Sequence, residues 1–209
     1  MSDFERRAYD GLTVETRSID GEEKQLIEGT AIVFNSLSRE MSGFYERLAP
    51  TCLDKFFENH RATGNGIPDI AALWNHDAGV ILGRTPKTLQ VQKDERGIHF
   101  TLEPPKSMPQ ILESVQRRDC RGCSFAFTVA KNGEDWSVDE EGRNIRTINE
   151  IDNFLELSLV LQPAYEATEL GVAQRSFQQF KDQREQRKAK YKQFKDFVEK
   201  CRRANYEKR

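Results

Sequence analysis

Residues 153–164 read NFLELSLVLQPA. Leucine recurs at every second position from Leu155 to Leu161, and Pro163 ends the run. A period of two is the signature of a strand. It places Leu155, Leu157, Leu159 and Leu161 on one face and Phe154, Glu156, Ser158 and Val160 on the other. Proline lacks the amide hydrogen that a ladder requires, so the strand stops there. This is the longest strand signal in the chain, and it makes β-structure the starting point for the rest.

The stretch RGCSFAFTV, residues 121–129, alternates in the same way. Cys123, Phe125, Phe127 and Val129 share one face; Ser124, Ala126 and Thr128 share the other. Four shorter runs precede it: Ile70–Trp74, Val80–Leu82, Thr88–Gln92 and Ile98–Leu102. Turn residues separate them at Asp77–Gly79, Arg84–Lys87 and Asp94–Gly97. Lys24–Phe34 reads as a further strand, and residues 133–151 as a hairpin turning near Glu141 and Gly142. Two helices interrupt the strands. One starts near Pro50, with Thr51 and Asp54 at the spacing of a capping box; the other covers 107–120, with Met108, Ile111, Leu112 and Val115 at helical spacing. There is no βαβ alternation and no glycine-rich nucleotide loop. The pattern predicts a mainly β, α+β domain: a small closed or nearly closed barrel with flanking helices.

Residues 176–209 have a different character. They contain no glycine or proline, and Phe177, Phe180, Tyr191, Phe194, Phe197 and Val198 recur at steps of three and four for much of the segment. This is a charged helix with an interrupted apolar stripe. Residues 174–209 carry thirteen Lys and Arg against five Asp and Glu, a net +8, which leaves −10 on residues 1–173 out of −2 for the whole chain. We therefore expect a body, 1–175, and a basic helical tail, 176–209, with separate tasks. The tail reads either as a solvated helix or as a segment for docking or self-association. Its acidic residues and the acidic body argue against nucleic acid as a partner. No run of eighteen apolar residues suggests a membrane span, and the first residues lack the apolar core of a secretory signal.

Four cysteines, Cys52, Cys120, Cys123 and Cys201, are too scattered for a disulfide framework. Cys120 and Cys123 form a C-x-x-C, but no second pair completes a zinc site, so two reduced thiols are the expected reading.

Three polar residues interrupt apolar strands. Ser124 faces away from the phenylalanines, which by pattern alone describes an ordinary outer-face serine. Glu156 sits within a leucine-rich strand, where a carboxylate is costly unless it reaches solvent or a partner. His76, flanked by Asn75 and Asp77, ends a short apolar strand at a turn. A serine hydroxyl becomes a nucleophile when a neighbouring base takes its proton. Imidazole suits that role near neutral pH, and a carboxylate can hold its tautomer. His60 lies beside a loop and His99 on a strand. No G-x-S-x-G elbow is present, which disfavours an α/β-hydrolase.

Four segments occur in order: FYERLAPTCLDKF (44–56), NHD (75–77) followed by LGRT (82–85), RGCSFAF (121–127) and LELSLVLQPAYEATEL (155–170). Together they resemble the prohead proteases of tailed phages, over roughly residues 25–175. The resemblance implies an assemblin-like fold and a capsid-maturation serine endopeptidase, with His76 as base and Ser124 as nucleophile. Glu156 is the best match for the third member, with Asp152 and Glu150 as alternatives. Cys123 departs from the small or hydroxylated residue that often precedes the nucleophile. The implied substrates are scaffolding segments of the major capsid protein, any separate scaffold, and the protease itself, inside the procapsid in the host cytoplasm. No cofactor is implied. The oxyanion donors are open, with Arg121-Gly122 and Gly83-Arg84 as candidates. The competing expectation is a non-enzymatic procapsid protein acting through its terminal helix.

Overall fold

A computed structural model describes residues 4–19, 21–63, 68–161 and 171–206. The elements in chain order are β1 (Glu5–Asp10), β2 (Thr13–Ile19), β3 (Glu22–Val33), β4 (Tyr45–Leu48), α1 (Asp54–Thr63), β5 (Ala71–Trp74), β6 (Asp77–Arg84), β7 (Leu89–Lys93), β8 (Gly97–Leu102), α2 (Pro109–Gln116), β9 (Gly122–Val129), β10 (Glu134–Val138), β11 (Asn144–Ile148), β12 (Ile151–Val160) and α3 (Gly171–Tyr206). The chain divides into two compact units, one ending at Val172 and one beginning at Ala173. The boundary expected after Arg175 falls inside α3.

The mainly β, α+β class is correct, but the closed barrel is not. The strands form three open sheets, ordered β1-β9-β12-β5-β6, β10-β11-β4 and β2-β3-β8-β7. The physical reason is pairing across distant parts of the chain. After α2, β9 enters beside β1, and β12 then lies parallel to β5 while β11 lies parallel to β4. Each sheet keeps two edge strands: β1 and β6, β10 and β4, β2 and β7. One hydrophobic core spans the larger sheets. Ile27, Ile32, Ile98 and Phe100 enter it from one side, and Phe125, Phe127, Leu157 and Leu159 from the other.

Local chemistry explains the turns. Asp94 Oδ1 accepts hydrogen bonds from the amides of Arg96 and Gly97, which closes the β7–β8 hairpin. Asp139 does the same for Glu141 and Arg143 between β10 and β11, where Gly142 takes a φ of 79°. Pro109 opens α2, where its missing amide hydrogen costs nothing, and Ile111 and Val115 bury one helical face. At α1 the expected capping pair does not form as such: Asp54 begins the helix, and its carboxylate meets Lys93.

The strict alternation read over 154–161 fails in two places: Leu161 lies past the end of β12 and is 47% exposed, and the face also changes within the strand. The register of β12 against β9 shifts between Phe154 and Glu156. Leu155 is the extra residue of this bulge and is 44% exposed, whereas Phe154 turns inward. Phe154 stacks on Phe125 at 5.7 Å, and Phe125 stacks on Phe127 at 5.1 Å. Beyond the bulge Leu157 and Leu159 keep the core face, leaving Glu156 and Ser158 opposite.

A buried charge cluster ties the three-stranded sheet to β1. Arg7 bonds Glu46 at 2.5 and 2.8 Å and Glu5 at 2.6 Å. Arg146 bonds Glu5 at 2.7 and 2.8 Å and Glu46 at 2.8 Å. Two cations and two fully buried carboxylates thus neutralise one another out of solvent, with Glu134 at the cluster's edge accepting from Arg146 at 2.6 Å, and the Arg7 guanidinium lies 5.5 Å from the Phe127 ring centroid. Such a cluster is strongly destabilised when one member is removed, because a buried charge is left behind.

Candidate active site

The sheet register assembles the site. Ser124 on β9 lies opposite Ala8 of β1 and Ser158 of β12, and Ser158 lies opposite Leu73 of β5. One row along, Ala126 lies between Arg6 and Glu156. The face away from the phenylalanines therefore carries a hydroxyl, a second hydroxyl, a carboxylate and a guanidinium within two rows of one sheet. Ser124 is 3% exposed.

His76 reaches this face from the hairpin between β5 and β6. The turn was expected at Asp77–Gly79; it lies instead at Asn75 and His76, with φ of 50° and 65°, and Trp74 pairs with Asp77. A two-residue turn with both central residues left-handed matches strand twist. Asparagine adopts that conformation readily. For a non-glycine residue such as histidine it costs roughly 1 kcal/mol or more. The Asn75 amide donates to the Leu159 carbonyl at 2.8 Å and ties the turn to β12.

From this turn the His76 Nδ1 meets Glu156 Oε1 at 2.5 Å. An ionised carboxylate only accepts hydrogen bonds, so Nδ1 carries the hydrogen and, in the neutral ring, Nε2 keeps its lone pair. Arg6 Nε lies 3.4 Å from the same carboxylate oxygen and brings a positive charge to it. The alternatives for the third member are engaged elsewhere: Glu150 with Lys55 at 2.6 Å, and Asp152 with Asn153 at 3.2 Å. Among the described residues no hydrogen bond joins Ser124 to His76; they share the sheet face without direct contact of this kind.

The other histidines are committed. His60 Nδ1 meets the Phe56 carbonyl on α1 at 2.7 Å, and His99 Nδ1 meets Thr30 Oγ1 at 3.1 Å in the β2-β3-β8-β7 sheet. The C-x-x-C cysteines are buried thiols. Burial raises the pKa of Cys120 to about 11, and burial together with Cys120 raises Cys123 well above its ordinary value. Cys52 rises by burial to about 12. Burial thus disfavours the reactive thiolate at all three. Of the oxyanion candidates, the Arg84 guanidinium is held by Asp69 at 2.5 Å, and Arg121 lies 3.5 Å from Asp10.

Sequence reasoning missed Arg6, and it placed Ser158 on the Glu156 face without giving it a role. The only signal for Arg6 was the alternation in Glu5-Arg6-Arg7-Ala8, where Glu5 and Arg7 turn inward and Arg6 turns toward Glu156. No helix among the described residues is long and apolar enough to cross a membrane.

No curated protein and no solved structure matches the chain. A family model does: it covers residues 12–183, most of the chain, and by that match the chain belongs to the caudovirus prohead serine proteases.

Proposed function

We propose that the protein is a serine endopeptidase of procapsid maturation, with Ser124 as nucleophile, His76 as general base and Glu156 as the residue that orients the imidazole. The observation that carries this reading is the His76–Glu156 hydrogen bond, which leaves the Nε2 lone pair available on the sheet face that bears Ser124. In the proposed cycle Nε2 takes the Ser124 proton as the serine oxygen attacks a peptide carbonyl. The imidazolium, balanced by Glu156, then gives that proton to the leaving amine. Water, deprotonated by the same nitrogen, hydrolyses the acyl-enzyme and returns the serine. Every proton is carried by groups of this chain, so no cofactor enters the cycle.

The substrates we infer are scaffolding segments of the major capsid protein, any separate scaffold protein, and the protease itself, met inside the procapsid in the host cytoplasm. Family membership supports this class of substrate. The test is co-expression with the capsid protein, comparing the masses of both proteins with and without Ser124→Ala. The expected result is loss of trimming in a chain that stays folded. Normal trimming by Ser124→Ala would overturn the assignment and favour a structural role.

A further inference from the structure

Ser158 is fully buried, and its hydroxyl finds no hydrogen-bond partner among the protein's described groups. A buried polar atom in that condition is uncommon and unfavourable, so its presence asks for a reason. Packing does not supply one. Alanine fills the neighbouring positions of this face at Ala8, Ala126 and Ala71, and alanine at 158 would carry no orphaned oxygen.

The register narrows what the hydroxyl can serve. Across the sheet its neighbours are Ser124 and Leu73, and only Ser124 has a side chain that can hydrogen-bond. Along β12, Glu156 is turned to His76 and Arg6. Residues directly opposite in an antiparallel pair hold their Cβ atoms about 4.5–5.5 Å apart. Rotation between staggered χ1 positions on either serine therefore brings the two oxygens to the usual O–H···O separation of about 2.7–2.8 Å.

We propose that Ser158 is a positioning residue for the nucleophile: when Ser124 turns to the rotamer from which it attacks, the Ser158 hydroxyl, unpartnered until then, donates to its oxygen and holds it there. This rests on the reading of Ser124 as nucleophile. The donated bond occupies a lone pair of Ser124 and leaves the Ser124 hydrogen free to point at His76 Nε2. As negative charge gathers on the serine oxygen during proton transfer, the bond from Ser158 strengthens. The orphaned hydroxyl of the resting protein is then a group kept for a moment in the reaction.

The test uses the full-length chain and a fluorophosphonate probe, which bonds covalently to an activated serine with loss of fluoride. Labelling of the wild type at Ser124, absent in Ser124→Ala, establishes the nucleophile independently. Ser158→Ala is then expected to lower the maximal labelling rate about 10- to 100-fold, the range seen when a reacting group is slightly misplaced. The probe concentration for half-maximal rate stays unchanged, and the melting temperature is equal to or above wild type. Ser158→Thr, which keeps the hydroxyl, is expected to recover most of the rate. Labelling of Ser158→Ala at the wild-type rate overturns the proposal and leaves Ser124 standing. A lowered melting temperature, with Ser158→Thr as slow as Ser158→Ala, also overturns it, since the hydroxyl would then be structural. If the wild type is not labelled at Ser124, the nucleophile assignment fails first and takes this one with it.

Discussion

At the scale of single residues, a left-handed turn and a short hydrogen bond define what His76 can do. The turn residues Asn75 and His76 bring the imidazole over β12, and Glu156 fixes its tautomer. If His76 is the base, His76→Ala removes proton transfer altogether, and capsid-protein trimming should slow by about 10⁴-fold or more. Glu156→Gln keeps the shape but loses the charge that balances the imidazolium. We expect a loss of about 10⁴-fold, milder than the roughly 10⁶-fold that removal of the base can reach, because positioning survives in part. Asp152→Asn should trim at the wild-type rate, since Asp152 bonds its neighbour Asn153 and not His76. A time course of trimming by the three variants checks the order. A dead Asp152→Asn beside an active Glu156→Gln would move the orienting role to the other carboxylate.

At the scale of elements, the charge cluster joining β1, β4 and β11 makes its own prediction. Arg146→Met leaves Glu5 and Glu46 buried with one cation between them, which should cost about 3–5 kcal/mol of stability in urea unfolding. A loss below about 1 kcal/mol would mean that the cluster relaxes to solvent. The cluster also sets acid sensitivity. Burial alone would raise the Glu5 pKa, but the hydrogen bonds and charges of Arg146 and Arg7 hold it below its ordinary 4.5. A carboxyl lowered in the folded state contributes its full stability above the unfolded value. That contribution is lost as pH falls from about 4.5 through the lower folded pKa. Arg146→Met should therefore flatten the fall of stability below pH 4.5 as well as lower the plateau. None of this was legible in the sequence, because Glu5, Arg7, Glu46 and Arg146 meet only through pairings between distant strands. What alternation could show, it did: Ser124 faces away from Phe125 and Phe127, and Glu156 shares its face with Ser158. It could not show that Leu155 is a bulge, since one inserted residue leaves the local pattern of leucines intact and changes only which of them meet the core. Nor could a count of strands distinguish open sheets from a barrel, because closure depends on which edges meet.

At the scale of the whole molecule, the chain joins an acidic body that holds the candidate triad to a long basic helix. Within α3, Tyr191, Phe194 and Phe197 are each 63% exposed, at successive steps of three along the helix. Lys195 lies 5.8 Å from the Tyr191 ring centroid, so the stripe is flanked by charge. An apolar stripe with basic flanks fits an acidic amphipathic segment, and under the proposed function a scaffold segment would supply one. We expect a chain ending at Arg175 to keep its folded body and its reaction with a fluorophosphonate probe at Ser124. The same chain should enter procapsids several-fold less well than the full-length protein. Glutamate in place of Arg187, Lys188 and Lys190 should weaken entry in the same direction. In the full-length protein, entry should fall as salt is raised from about 0.05 to 0.5 M, because screening shortens the reach of exposed charges to a few ångströms. Alanine at Tyr191, Phe194 and Phe197 should weaken entry at every salt concentration, since burial of apolar surface is not screened. Co-sedimentation of each variant with assembling procapsids measures this directly. If the truncated chain is packaged as well as the full-length chain, the address lies on the body, and α3 is a solvated extension whose aromatic stripe serves some other contact.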